Sequence, residues 1–345
     1  MIINKKTASL FLILCILGLS LIFLASCKAG KPSDQLTRIN VACFPNITHA
    51  QALLLKEQGT LEKEFGEDAN VNWIVFNAGP SEIEALFAGE IDIGYIGPVP
   101  ALSGYIQSNG DLNIIAGASN GGSVLVCQND ADIQSAKDLA GKTVAIPQFG
   151  NTQHLSLLAL LTANGLAPSS QRGNVNVVPA SNADVANLMY RKNIDAALVP
   201  EPWGSILELN ENGRVVLNYD EIDPNGIPST AVVIVRKDFL DAHPDAVARF
   251  MSAHKAATVY INENLSDAVK IINNQIYKIT QQPIEERVLE SAFNRLIITY
   301  DIPGSSIMDF AQTCLNEKII TKLPDSKLIN DAYVRDTEHT NVPRP

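Results

Sequence analysis

Gly89-Glu-Ile-Asp-Ile-Gly-Tyr-Ile-Gly97, followed by Pro98-Val-Pro100, is met again in outline as Lys192-Asn-Ile-Asp-Ala-Ala-Leu-Val199, followed by Pro200-Glu-Pro-Trp203. Each is a short apolar run rich in β-branched residues and closed by Gly or Pro, the pattern of a buried strand. The order of signals leading into each copy also matches. Before the first come a strand Arg38–Cys43, a loop Phe44–His49, a helical stretch from Ala50 to Phe65, a strand Val71–Phe76 and a turn Asn77–Ser81. Ser81 and Glu84 have the spacing of a capping box for the helix that follows. Before the second come a strand Thr143–Ile146, a loop Pro147–His154, a helix Leu155–Asn164, a strand Val175–Val178 and a cap Ser181–Asp184.

Strand, helix, strand, helix, strand is the signature of a mostly parallel sheet covered by helices. Two copies predict an α/β fold of two similar lobes. Ser123–Cys127 and Ser229–Val235 read as buried strands at the two crossings between lobes. The helical stretches Pro244–Asn262, Leu265–Tyr277, Ile284–Leu296 and Ser305–Asn316 are expected to return to the first lobe, and the tail from Asp331 to fray. The expected division is a leader over 1–26, a linker over 27–37, lobe 1 over 38–127, lobe 2 over 128–227 and the rest of lobe 1 over 228–345. Ligands of such sheets sit at the carboxyl ends of the strands, so six loops, three per lobe, should enclose one crevice.

Lys5 and Lys6, an apolar run from Leu10 to Ala25 and the ending Leu24-Ala-Ser-Cys27 make an export signal, too short for a comfortable membrane span. The remaining cysteines, Cys43, Cys127 and Cys314, cannot all pair, so no disulfide framework is expected. Two of them sit in strand-like runs as small hydrophobes, and neither Cys nor His has metal-ligand spacing. The net charge of −11 argues against nucleic-acid binding.

The ending Leu24-Ala-Ser-Cys27 resembles the bacterial lipobox, which implies that Cys27 is lipidated and becomes the anchored N-terminus on the extracytoplasmic face. The mature chain resembles the periplasmic-binding-protein family that serves aliphatic sulfonates, taurine, nitrate and thiamin-pyrimidine precursors. The residues that carry the resemblance are Gly89–Gly97, Asp138–Ile146, Gln148–His154, Glu201-Pro-Trp203 and Phe239–Pro244. It implies a type II binding protein, monomeric, without cofactor or metal. Such a protein delivers a small ligand to an ABC permease and its ATPase. The Gly97–Pro100 ending leans toward the sulfonate branch, with nitrate or a pyrimidine precursor as the alternative. An enzyme reading exists for this fold in pyrimidine synthesis, but the export signal and the lack of a nucleophile or phosphate-loop motif oppose it.

The six loops contain no Lys or Arg. An anion held there would rely on helix N-termini and neutral donors. The candidates are Asn46, Thr48, Ser81, Asn151 and Thr152 as side-chain donors and Gly79, Gly97, Gly150 and their neighbours Pro98 and Gln148 through the backbone. Thr48, Ser81 and one of Asn151 and Thr152 have an alternative as helix caps, and the glycines as turn formers. His49 and His154 both occupy loop-to-helix positions, and either could donate to an oxyanion or be satisfied by local hydrogen bonds. Glu82 and Asp184 suit first helical turns. Glu201 could meet an ammonium and Trp203 could cover an alkyl chain, unless both simply pack a strand end.

Overall fold

The computed structural model describes residues 36–223 and 226–335; the signal segment, Cys27 and the end of the tail lie outside them. The first lobe begins β1 (Arg38–Cys43), α1 (Ala50–Gln58), α2 (Thr60–Phe65), β2 (Asn70–Val75), α3 (Gly79–Phe87), β3 (Ile93–Ile96), α4 (Pro98–Ser108) and β4 (Leu112–Gly121). The second lobe runs β5 (Ser123–Gln128), β6 (Thr143–Ile146), α5 (Thr152–Ala163), β7 (Asn176–Pro179), α6 (Asn182–Tyr190), β8 (Ala196–Pro200), α7 (Trp203–Asn210), β9 (Gly213–Leu217) and α8 (Tyr219–Ile222). The chain then returns through β10 (Ser229–Arg236), α9 (Lys237–Ala242), α10 (Pro244–Glu263), α11 (Leu265–Thr280), α12 (Glu286–Phe293), β11 (Leu296–Ile298), α13 (Gly304–Asn316) and α14 (Ala332–Arg335).

The first sheet has the order β11-β4-β10-β3-β1-β2 and the second β7-β6-β8-β5-β9. In each, the repeated strands pair in parallel, β2-β1-β3 and β7-β6-β8, while the crossing strands add antiparallel. The repeat extends to single contacts. Asp92 accepts the amide of Asn40 at 2.8 Å, and Asp195 accepts that of Thr143 at 2.7 Å. Each aspartate, just before the third strand of its lobe, thus ties down the first. Asp92 is also paired with Arg236 at 2.8 Å.

The lobe boundary differs from the sequence expectation. β5 was expected to close the first lobe, yet it pairs with β8 and β9 in the second sheet. The crossing falls earlier, at Gly121 and Gly122, whose φ values of 74° and 75° suit only residues without a side chain. The helix expected from Ala50 to Phe65 is broken at Gly59, φ 60°. The helix expected to open on Ser81 starts at Gly79 instead, because Pro80 fits the first helical turn, so Ser81 and Glu84 form no capping box.

A core cluster in the first lobe joins Leu86, Ile96, Leu102, Ile114 and Phe310, so the C-terminal helix α13 does pack on that lobe. The second sheet has one apolar cluster around Leu125, Leu157 and Leu198 and another around Val126, Val199 and Trp203. Cys43, Cys127 and Cys314 are free and buried, and burial raises their thiols, Cys43 and Cys314 to about 12.

His254 lies wholly inside the first lobe, between the Tyr95 hydroxyl at 2.8 Å and the Gly117 carbonyl at 2.9 Å. A carbonyl only accepts, so Nε2 carries the proton and Nδ1 accepts from Tyr95. Burial lowers its pKa from 6.5 to about 4. Its contribution to stability is therefore full above 6.5 and is lost as pH falls toward 4. The stability difference between wild type and His254→Gln should shrink by about 2 kcal/mol between about pH 7.5 and about pH 5. Urea titrations at both values measure it, and a constant difference would count against a neutral buried imidazole.

Candidate functional site

The carboxyl ends of the parallel strands of both lobes face one cavity. Its wall takes residues from all six loops: Phe44, Asn46, Thr48 and His49; Asn77, Ala78 and Gly79; Gly97 and Pro100; Pro147 and Asn151 to Gln153; Asn182; and Pro200. Thr230 on β10 completes it. The cavity volume is about 20 Å³, room for one water molecule by the measure in which each needs roughly 10–15 Å³. The lobes are closed on each other here, and any larger ligand has to enter while they stand apart.

Four helices begin on this wall: α3 at Gly79, α4 at Pro98, α5 at Thr152 and α6 at Asn182. Their positive ends therefore lie at the cavity. Helix α4 opens with Pro98 and Pro100, so it brings its dipole more than its amides. Among the described residues, none that lines the cavity is Asp, Glu, Lys or Arg. His49 is fully buried and lowered to about 3 by that burial, so it is neutral. Its Nδ1 accepts the Phe44 amide at 3.1 Å, which leaves the ring proton on Nε2 as a donor. His154 repeats the motif in the second lobe, accepting the Gly150 amide at 3.1 Å, but it does not line the cavity.

Asn151 and Thr152 divide their tasks. Asn151 caps α5, its Oδ1 accepting the His154 amide at 2.8 Å, and its Nδ2 donates to Gln153 at 2.9 Å. Thr152 Oγ1 is buried and has no partner. Asn182 Oδ1, on the same wall, is likewise buried and unpartnered. The Thr152 hydroxyl is free to donate to a ligand or water there, whereas the Asn182 carboxamide oxygen can only accept. Gly97 and Gly79 are not turn formers: neither has a positive φ. A Cβ on Gly97 would collide with Thr152 Oγ1 across the cleft, and one on Gly79 with the Pro100 ring.

Several expected ligand contacts stand elsewhere. Ser81 and Gln148 bond each other between the lobes, at 3.2 and 3.3 Å, outside the cavity wall. Gly150, φ 81°, and Pro98 are behind that wall. Glu201 is fully buried but does not face the cavity, so it cannot meet a ligand ammonium as expected. Its carboxylate accepts from the Ser205 amide at 2.9 Å, the Ser205 hydroxyl at 3.1 Å and Arg295 at 2.9 Å. Burial raises its pKa, against the pull of Ser205 and Arg295. Trp203 is not one of the lining residues, and it donates from Nε1 to Asn46 Oδ1 at 2.7 Å. Sequence reading missed Asn182, Gln153 and Thr230, whose neighbours gave no signal beyond a helix start or an apolar strand. Glu82, in the first turn of α3, is fully buried with neither oxygen partnered, and burial raises its pKa well above the usual value.

Two sheet-based lobes with helix starts meeting between them are the architecture of the two-lobed periplasmic-binding-protein fold. The NMT1-like family matches residues 33–273, and the chain belongs to it. The taurine-binding periplasmic protein of Escherichia coli (strain K12) is 32% identical over 229 residues, 66% of this chain and 68% of that one. The putative aliphatic sulfonates-binding protein of Bacillus subtilis (strain 168) is 25% identical over 323 residues, 91% of this chain and 92% of that one. The solved alkanesulfonate-binding protein SsuA from Xanthomonas axonopodis pv. citri, bound to MOPS, shares the fold with a TM-score of 0.71 at 20% identity. It covers 88% of this chain and 100% of that one.

Proposed function

We propose that the protein is the solute-binding lipoprotein of an ABC importer, capturing a small organic sulfonate such as taurine or an alkanesulfonate between its lobes. The observation that carries this is a closed cleft walled by helix N-termini and neutral polar groups, with no charged side chain. A sulfonate spreads one negative charge over three acceptor oxygens and brings no proton, which suits amides and hydroxyls. A doubly charged phosphate would leave a buried charge uncompensated, at high cost. The relatives that bind taurine or are assigned to aliphatic sulfonates point the same way. Delivery then falls to a membrane permease and its ATPase. Anchoring through lipid on Cys27, on the extracytoplasmic face, rests on the Leu24-Ala-Ser-Cys27 ending.

Calorimetric titration against taurine, ethanesulfonate, nitrate, sulfate, phosphate and an aminopyrimidine tests the ligand class. Taurine and ethanesulfonate should bind, and Thr152→Val should weaken both by about 1.5–3 kcal/mol if its hydroxyl donates to the charged head. Binding of phosphate or the aminopyrimidine with no sulfonate bound would overturn the ligand while sparing the transport role.

Closure is read separately. Solution scattering should show compaction of the wild type with taurine. Gly97→Ala should oppose it, since overpacking at a tight contact costs about 1–3 kcal/mol. Equal compaction in the variant would contradict the contact seen with Thr152. For the anchor, Cys27→Ala should abolish lipid labelling and membrane retention; a processed variant that stays on the membrane would refute it.

A further inference from the structure

The bond between Trp203 and Asn46 joins a residue of the second lobe to a loop of the first. Both side chains are buried, 5% and 4% exposed, and the bond is 2.7 Å long. An indole N–H only donates, so the acceptor on Asn46 is its oxygen, and the two hydrogens on Nδ2 are what that carboxamide still has to offer. Asn46 lines the cavity and Trp203 stands behind it. We infer that Trp203 is a positioning residue for the ligand: across the closed cleft it fixes Asn46 with its N–H groups toward the cavity, so that Asn46 donates to an anion only when the lobes are shut. This rests on the anion-binding reading above.

Trp203 is itself held in place. Its ring belongs to the apolar cluster with Val124, Val199 and Leu207. Two residues earlier, Glu201 is locked by Ser205 and by Arg295, which also reaches Glu208 at 2.7 Å. Arg295 lies between α12 and β11, beside Gly121, and the Glu201 amide donates to the Gly122 carbonyl at 2.7 Å, so this ion pair joins the lobes at the crossing itself. With the lobes apart the indole no longer holds the Asn46 oxygen, which is then free to turn to the ligand, where it would repel an anion. Closure therefore selects the donating orientation, and anion selectivity is built into a contact that never touches the ligand.

The test is a double-mutant cycle on the full chain, with Trp203→Phe, Asn46→Ala and both, titrated with taurine and ethanesulfonate. Trp203→Phe keeps the ring and loses the donor. It should weaken binding about tenfold, the scale of one lost or misdirected hydrogen bond to a charged group. In the Asn46→Ala background the same change should cost almost nothing, because the two residues act as one unit. If Trp203→Phe costs the same in both backgrounds, its role is packing and the inference is overturned. If wild type binds nitrate or sulfate but no sulfonate, the sulfonate reading fails and the same cycle on that anion still decides the inference. If wild type binds only a neutral or cationic molecule, both fail.

Discussion

The amides of a helix's first turn have no carbonyl partner within the helix and point out along its axis. In this chain α3, α4, α5 and α6 all begin on one cavity. Each start is placed there by a parallel strand of its own lobe, because a right-handed crossover delivers the next helix from the strand's carboxyl end. Each helix end favours a nearby anion by about 0.3–1 kcal/mol at an exposed site and more where water is excluded. Converging ends can thus replace a lysine or arginine. A cleft without any cation follows as a consistent feature, not a deficiency, and it makes a single, delocalised negative charge the natural guest.

The same arrangement explains why the two lobes touch so closely. Amides from both sides can reach one head group only if the gap is small; at about 20 Å³ it holds one water, so the lobes have to stand slightly wider around a sulfonate. Gly97 faces Thr152, Ser81 faces Gln148, Asn46 faces Trp203, and Arg295 faces Glu201 and Glu208. The chain crosses between lobes at Gly121-Gly122, where the backbone takes a conformation that side chains disfavour. Burial raises the pKa of Glu201, whose amide donates to the Gly122 carbonyl at this crossing. A buried carboxylate with several donors and a guanidinium is an inter-lobe fixture, costly to break.

Much of this was legible in the chain itself. The doubled Ile-Asp motif at Asp92 and Asp195 reported a real repeat, down to the strand amide that each aspartate holds. Asn46, Thr48, His49, Gly79, Gly97, Asn151 and Thr152 do line the cavity, and their loop-to-helix positions were readable from local signals. What stayed hidden depends on partners distant in sequence. β4 contains Gly117, Asn113 and Asn120 and has little strand character of its own; it is held by pairing to β10 and β11. Gly117 is there because a Cβ would collide with the backbone at Asp301. Pro98 and Pro100 read as the end of a strand, although proline also suits a first helical turn, so α4 was missed. Glu201 looked like a cleft residue because Arg295, the partner that removes it, comes from far along the chain.

The most direct measurement is the crystal structure of the taurine complex. The account predicts sulfonate oxygens within about 3.2 Å of main-chain nitrogens at the starts of α3, α5 and α6. Thr152 and Asn46 should donate as well, with no lysine or arginine on the head group. A sulfonate bonded by a basic side chain, or seated outside the cleft, would contradict it.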